Sequence, residues 1–104
     1  MIRWRNVSTI EYGHFAEALQ LCHELADVCH ARSWQSPRVL VPTAGVNNEL
    51  IIEVEYPDFA TYQRENEQVS QDAEFMKLIR GLGQITYPQS SRSELLEDAP
   101  TTIA

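Results

Sequence analysis

Long apolar runs and basic clusters are both missing from this sequence of 104 residues. No apolar stretch approaches the roughly 20 residues that span a bilayer, and the first letters, MIRWRNV, lack the apolar segment of a signal peptide. We therefore expect a cytoplasmic protein with no membrane partner. The 8 basic residues are scattered among 15 acidic ones, and a surface with a net charge of -7 repels a phosphate backbone. No nucleic-acid partner is expected.

Cysteine is scarce, and its two positions argue against both a disulfide and a metal site. Cys22 and Cys29 lie on one predicted helix, where their spacing separates the Cα atoms by about 10 Å, beyond the reach of a disulfide. His23 and His30 adjoin them, yet no pair has the short C-x-x-C spacing typical of zinc sites, so no metal is predicted. His23, Asp27 and His30 share one side of that helix, which we interpret as a flank facing water or a subunit boundary.

What the sequence does contain is typical of one small globular domain. It is 43% hydrophobic and 22% charged, and 104 residues suffice for a single core. We predict one domain over residues 1–97, followed by a loose C-terminal tail over 98–104.

Hydrophobic periodicity and turn residues predict the element order β-α-β-β-α-β. Asp58 and Asp72 are expected to cap two successive helical pieces after Pro57. The segment SSRSELLE is predicted to begin the tail as a possible short strand or arm. The predicted elements are a strand at 2–11, a helix at 14–31, strands at 38–41 and 49–56, helical pieces at 58–69 and 72–81, and a last strand at 83–87.

This order predicts an α+β fold, the ferredoxin-like βαββαβ sandwich. Right-handed crossovers and short connections give an antiparallel sheet in the order 4-1-3-2, with the helices on one face. On the uncovered face, Arg3 and Arg5 are expected opposite or diagonal to Glu53 and Glu55. We expect two such faces to pack together in a homodimer; the alternative is a solvated face with weak ion pairs.

Polar residues are predicted on the covered face, which is unusual for a core. Alternation places Trp4, Asn6 and Ser8 beneath the helices, and a buried amide requires hydrogen-bond partners. One interpretation is that Asn6 and Ser8 tie down a helix end or a bulge. The other is a cleft between sheet and helices, in which they orient a mostly apolar ligand. Helical spacing favours the core for a further set of residues: Phe59, Tyr62, Phe75, Leu78 and Ile79.

The run YPDFATYQREN…SQDAEFMKLIRGL, with this element order, resembles the dimeric α/β-barrel superfamily. That superfamily includes antibiotic-biosynthesis monooxygenases, haem-degrading monooxygenases and NIPSNAP proteins. The likeness to NIPSNAP-like members rests on the strand ending at Tyr56, the aromatic helix start at Phe59 and Tyr62, and D-x-E-F from Asp72 to Phe75.

The haem-degrading branch permits a comparison by residue. The resemblance matches Asn6, seven positions before Gly13, and Tyr62 stands where those enzymes carry Trp. The segment FMKLIRG, where their iron-ligating His would fall, has no histidine. We therefore predict no haem and no other cofactor. Cofactor-independent oxygenases of the superfamily imply a phenolic substrate in the cleft, which here would meet Trp4, Asn6, Ser8 and Tyr62.

Two functions remain open from the sequence. The first is a NIPSNAP-like protein that binds a small apolar molecule or acts in assembly. The second is a cofactor-independent monooxygenase or isomerase acting on a small aromatic or cyclic substrate. The catalytic candidates are Asn6, Ser8 and His14, the last as a general base near the start of the first helix. An open apolar cavity walled by these residues favours an enzyme, whereas Trp4 and Tyr62 packed solid across it favours assembly.

Overall fold

A computed structural model describes residues 1–99. Its four strands and three helices follow the predicted order, and residues 100–104 of the predicted tail lie outside the described residues. The elements are β1 (Ile2–Thr9), α1 (Phe15–Ala31), β2 (Arg38–Leu40), β3 (Glu49–Tyr56), α2 (Phe59–Ser70), α3 (Ala73–Gln84) and β4 (Arg92–Glu97).

The strands form one antiparallel sheet in the order β2-β3-β1-β4. This is the predicted order 4-1-3-2 read from the other edge, so the ferredoxin-like α+β prediction is confirmed. β1 is a central strand, and its register with β3 runs from Ile2 opposite Tyr56 to Thr9 opposite Glu49. Because side chains alternate along a strand, this register places Trp4 beside Val54 on the covered face.

The predicted position of the fourth strand is wrong. Gly83 and Gln84 end α3, and of the segment 83–87 only Thr86 joins the sheet, through one isolated bridge to Ile10. The helix continues past Gly81 because Leu82 extends its buried apolar face, and Ile85, the residue that follows the helix, is buried as well. The fourth strand is instead RSELLE at 92–97, the arm that was expected to begin the tail, which pairs with β1 from Ile2 to Val7.

Both predicted helix caps are present. Asp58 Oδ1 accepts the backbone N–H of Thr61 at 2.7 Å, and Asp72 Oδ1 accepts that of Phe75 at 2.9 Å. Each carboxylate satisfies an otherwise unpaired N–H at a helix start, and the two caps divide the second helical region into α2 and α3. The break turns α3 back against α1 and leaves α2 beside β3.

The helices cover one face of the sheet, and the core lies between. Ile10 and Leu50 from the sheet and Ala18 and Leu25 from α1 are its most enclosed members, together with Cys22, Leu82 and Ile85. Within residues 1–99, no helix combines the length and apolarity required to cross a bilayer. Two expected core residues are instead largely exposed: Phe59 at 48% and Ile79 at 37%.

Candidate functional site

Two cavities lie between the covered face of the sheet and the helices. We call the first the aromatic cavity; it has a volume of about 340 Å³ and a mostly apolar wall. We call the second the serine cavity; it has a volume of about 420 Å³ and contains Asn6 and Ser8 in its wall. The aromatic cavity is lined by Trp4, Leu25, Cys29, Trp34, Gln35, Pro37, Val54, Tyr56, Tyr62, Glu65, Asn66, Val69, Ser70, Phe75, Met76 and Ile79.

Five aromatic rings from five parts of the fold meet in the wall of the aromatic cavity. Tyr56 at the end of β3 and Tyr62 on α2 stand nearly perpendicular, with ring centroids 5.4 Å apart and planes at 77°. Trp34, after α1, and Phe75 on α3 form a second edge-to-face pair at 6.0 Å and 83°. Trp4 from β1 completes the set. Such pairs are favourable aromatic contacts, and they hold the wall without filling the space.

A buried carboxylate, which the sequence analysis missed, belongs to the same wall. Glu65 on α2 is only 5% exposed, and its Oε1 accepts the backbone N–H of Gln35 at 2.7 Å. Its position was readable from helical spacing, because Tyr62, Glu65 and Val69 follow the i, i+3, i+7 pattern of one helix face. An acidic residue on the apolar face of a helix is the signal that could have found it.

Two weakly acidic groups near Glu65 stay protonated to a higher pH than usual because they are buried. Burial is the main cause that raises the pKa of the Tyr56 phenol to about 12, and the neighbouring Glu65 carboxylate raises it further. Burial likewise raises the pKa of the Cys29 thiol to about 11, with Glu65 contributing. At neutral pH both are therefore neutral, and each can donate a hydrogen bond.

The serine cavity holds the polar residues that stood out in β1. The Asn6 side-chain amide donates from Nδ2 to the hydroxyl of Ser91 at 2.8 Å and to that of Ser93 at 3.0 Å, so it anchors the edge strand β4. Asn6 therefore anchors a strand, whereas the first of the two interpretations of the sequence expected it to tie down a helix end or a bulge. Ser8 is 6% exposed and makes no side-chain hydrogen bond with another residue among 1–99, which leaves its hydroxyl to the cavity.

Trp4 is shared by the two cavities and lines both, together with Ile79 from α3. The other predicted residues are divided between them, because Tyr62 lines the aromatic cavity whereas Asn6 and Ser8 line the serine cavity. His14 does not line either cavity. It lies exposed at the start of α1, where its Nδ1 is 3.0 Å from Oε2 of Glu17.

The residues present do not fit a histidine-ligated haem. The helix α3 contributes Phe75, Met76 and Ile79 to the aromatic cavity. No histidine is found among the described residues that line this cavity. Tyr62, which the resemblance matched to the Trp of haem-degrading enzymes, packs its ring against Tyr56.

A larger depression between α1 and α3 is a different kind of surface. Its volume is about 890 Å³, but it is an open groove edged by charged residues such as Glu24, Lys77 and Arg80. On the flank of α1, His23 Nε2 lies 3.7 Å from Asp27 Oδ2 with both side chains about 70% exposed, a solvent-facing pair. Neither feature encloses a ligand.

The uncovered face carries the expected cross-strand ion pairs. Arg5 Nη2 lies 2.9 Å from Oε2 of Glu53, and Arg3 Nε lies 3.2 Å from Oε1 of Glu55. Arg38 on β2 adds a contact of 2.8 Å to the other oxygen of Glu53. Hydrogen bonds from Arg38 and then Arg5 hold the pKa of Glu53 below its ordinary value.

Comparison with known proteins shows the fold. No protein-family model matches the chain, and no curated protein matches it. A NIPSNAP domain protein from Burkholderia xenovorans is similar over 100% of both chains, with a TM-score of 0.76 and 14% identity. A NIPSNAP family protein from Agrobacterium tumefaciens has a TM-score of 0.76 at 18% identity, covering 97% of this chain and 95% of its own.

A third similar structure is that of an enzyme. SnoaB, a cofactor-independent oxygenase from Streptomyces nogalater, has a TM-score of 0.73 at 15% identity, and the match covers 96% of this chain and 94% of SnoaB. The predicted resemblance to NIPSNAP and antibiotic-biosynthesis monooxygenase folds is thus confirmed for the architecture. At these identities the likeness extends to the fold alone.

Proposed function

We propose that this protein binds a small, mostly apolar organic molecule in the aromatic cavity. The observation that carries the proposal is that Trp4 and Tyr62 border an open space instead of packing solid across it. A volume of about 340 Å³ falls within the range of small-molecule sites, and such sites combine an apolar wall with a few polar groups. Here those groups include Gln35, Tyr56 and Glu65.

The chain carries its own reporters of binding, because its 2 tryptophans, Trp4 and Trp34, both line the cavity. Neutral hydrocarbons with one benzene ring, such as ethylbenzene and indane, are titrated while tryptophan emission and amide NMR shifts are followed. We expect a saturable change, with NMR shifts concentrated at the residues of the wall. A linear response without saturation contradicts the proposal.

A substitution that fills the aromatic cavity tests where the ligand binds. Val54 is 7% exposed and lies beside Trp4 on the covered face, so Val54→Phe places extra ring volume in the space that a ligand needs. The control is Val46→Phe, the same substitution at a loop position that is 60% exposed. Binding is lost in the first variant and kept in the second; equal binding in both contradicts the location.

A second candidate function is catalysis, as a cofactor-independent monooxygenase or isomerase acting on a small aromatic or cyclic substrate. It is favoured by Ser8, whose buried hydroxyl faces the serine cavity, and by the fold shared with SnoaB. Conversion of phenolic or cyclic test compounds that is lost in Ser8→Ala, with the fold intact by circular dichroism, supports it. Ser90→Ala is the control, since Ser90 is not part of the cavity wall and its hydroxyl bonds backbone groups of Thr9 and Tyr87.

We also propose that the protein is a homodimer joined through its uncovered sheet faces. The helices leave that face open, and apolar Leu40, Ile51 and Leu96 lie on it between the ion pairs. Packing a second copy there removes those side chains and the stems of the arginines from water.

A further inference from the structure

The most unusual group in the cleft is a carboxylate in apolar surroundings. Among the described residues that line the aromatic cavity, Glu65 is the only Asp, Glu, Lys, Arg or His. It is 5% exposed, and no Lys, Arg or His among residues 1–99 forms an ion pair with it. Burying a carboxylate is costly unless an opposite charge or several hydrogen bonds compensate.

The compensation that the protein itself supplies is partial. One N–H, that of Gln35, donates to Oε1. The guanidinium of Arg32, the residue that follows α1, is engaged elsewhere, because it is paired with Asp72 and Glu74. No hydrogen bond from residues 1–99 reaches the other oxygen of Glu65, and no side-chain oxygen among them is both fully enclosed and unpartnered. This oxygen therefore remains accessible, and a ligand in the cavity can supply the missing charge.

The rings around this carboxylate add a second attraction for a positive charge. The face of an aromatic ring is electronegative, and cations are bound over Trp and Tyr faces. Since the Tyr56 and Tyr62 planes stand at 77° and the Trp34 and Phe75 planes at 83°, ring faces meet the cavity from more than one direction. The protein already uses this contact once, with the Arg32 guanidinium 5.9 Å from the centre of the Trp34 ring.

We infer that the ligand of the aromatic cavity is an organic cation, an alkylated amine or quaternary ammonium with an apolar body, whose charge is neutralised by Glu65. This inference rests on the binding function proposed above and specifies its ligand class. The net charge of -7 acts in the same direction, because it attracts cations to the protein at long range.

The test compares two probes of one shape. Benzyltrimethylammonium and neopentylbenzene differ in a single central atom, positively charged nitrogen or neutral carbon. We expect the cation to bind at least about tenfold tighter to the wild-type protein, by tryptophan emission and NMR titration. This comparison needs no variant, so it holds even where a substitution impairs folding.

Glu65→Gln removes the charge and keeps the oxygen that accepts the Gln35 N–H. Glu67→Gln is its control, because it removes the same charge from an exposed position of the same helix. We expect the advantage of the cation to disappear in Glu65→Gln and to persist in Glu67→Gln, while neopentylbenzene binds all three proteins equally.

The possible failures are distinguishable. Equal affinities of the two probes for the wild-type protein overturn the cation inference and leave the binding proposal standing. A preference for the cation that survives Glu65→Gln also overturns it, since general surface charge then explains the preference. Saturable binding of neither probe, nor of the neutral aromatics, overturns both proposals together.

Discussion

Glu53 lies under two arginines on the uncovered face, with one oxygen 2.9 Å from Arg5 and the other 2.8 Å from Arg38. Its side chain is 4% exposed although the helices lie on the opposite side of the sheet. The strand register explains this enclosure, because β1 and β2 flank β3 and bring an arginine to each side of position 53. The face for which the alternative expectation was weak ion pairs in solvent therefore contains a buried carboxylate.

We predict that Glu53→Gln lowers the free energy of unfolding at pH 7 by about 1–2 kcal/mol, since it removes charge-assisted hydrogen bonds. In the folded protein the pKa of Glu53 lies below its ordinary value of about 4.5, so the ionised carboxylate stabilises the fold at pH values above about 4.5. This stabilisation is lost as the pH falls through the lowered pKa. Urea unfolding at pH 7 and pH 3 measures it. The difference between variant and wild type shrinks at pH 3; a difference that is unchanged there contradicts the role of the charge. Glu49→Gln, on the same strand and face, is the control.

Asn6 holds the edge strand β4 through Ser91 and Ser93. We predict that Asn6→Leu lowers the free energy of unfolding by about 1–2 kcal/mol and speeds amide hydrogen exchange in 92–97 more than in β3. The control is Asn47→Leu, at an exposed loop position. Exchange that accelerates equally throughout the sheet argues against a local anchor.

Cys29 lines the aromatic cavity, whereas Cys22 lies in the core. Because burial raises the pKa of both thiols to about 11, little thiolate exists at pH 8, and we predict that a disulfide reagent labels the folded protein about a hundredfold more slowly than the urea-unfolded chain. In Cys22→Ala, a cavity ligand slows the labelling of Cys29 further. Rapid labelling of the folded protein at pH 8 would contradict the burial of these thiols.

Ile51 lies on the uncovered face between Val7 and Leu40 in the sheet register. If that face joins two copies, Ile51→Lys places charges in the interface, and we expect sedimentation to change from dimer to monomer at micromolar concentration. Leu95→Lys, on the opposite face of β4, leaves the dimer intact. A wild-type monomer at that concentration excludes the dimer.

The sequence predicted the elements whose signals are local. Strand alternation gave β3 at its observed bounds, and the acidic residues Asp58 and Asp72 marked two helix starts, because capping is decided within four residues. The cross-strand pairs of Arg3 and Arg5 followed from strand order and alternation together.

The position of the fourth strand was predicted wrongly because two nearby segments, 83–87 and 92–97, could each form it. The segment 83–87 has strand-like alternation, but α3 continues to Gln84, and Leu82 within it and Ile85 just after it are both buried. The charged arm RSELLE has weak strand signals of its own and becomes a strand because β1 offers it an unpaired edge. Such pairing is a contact between distant parts of the chain, which no local pattern reports.

The amino-acid sequence by itself determined the order of strands and helices, the two faces of β1, and the polar positions Asn6 and Ser8, since periodicity and short-range hydrogen bonding decide them. Only the tertiary structure decided that the rings of Trp4, Trp34, Tyr56, Tyr62 and Phe75 surround an open space and that Glu65 is buried among them. The physical reason is that a cavity is unfilled volume between elements far apart in sequence, and its size depends on how closely whole helices approach the sheet.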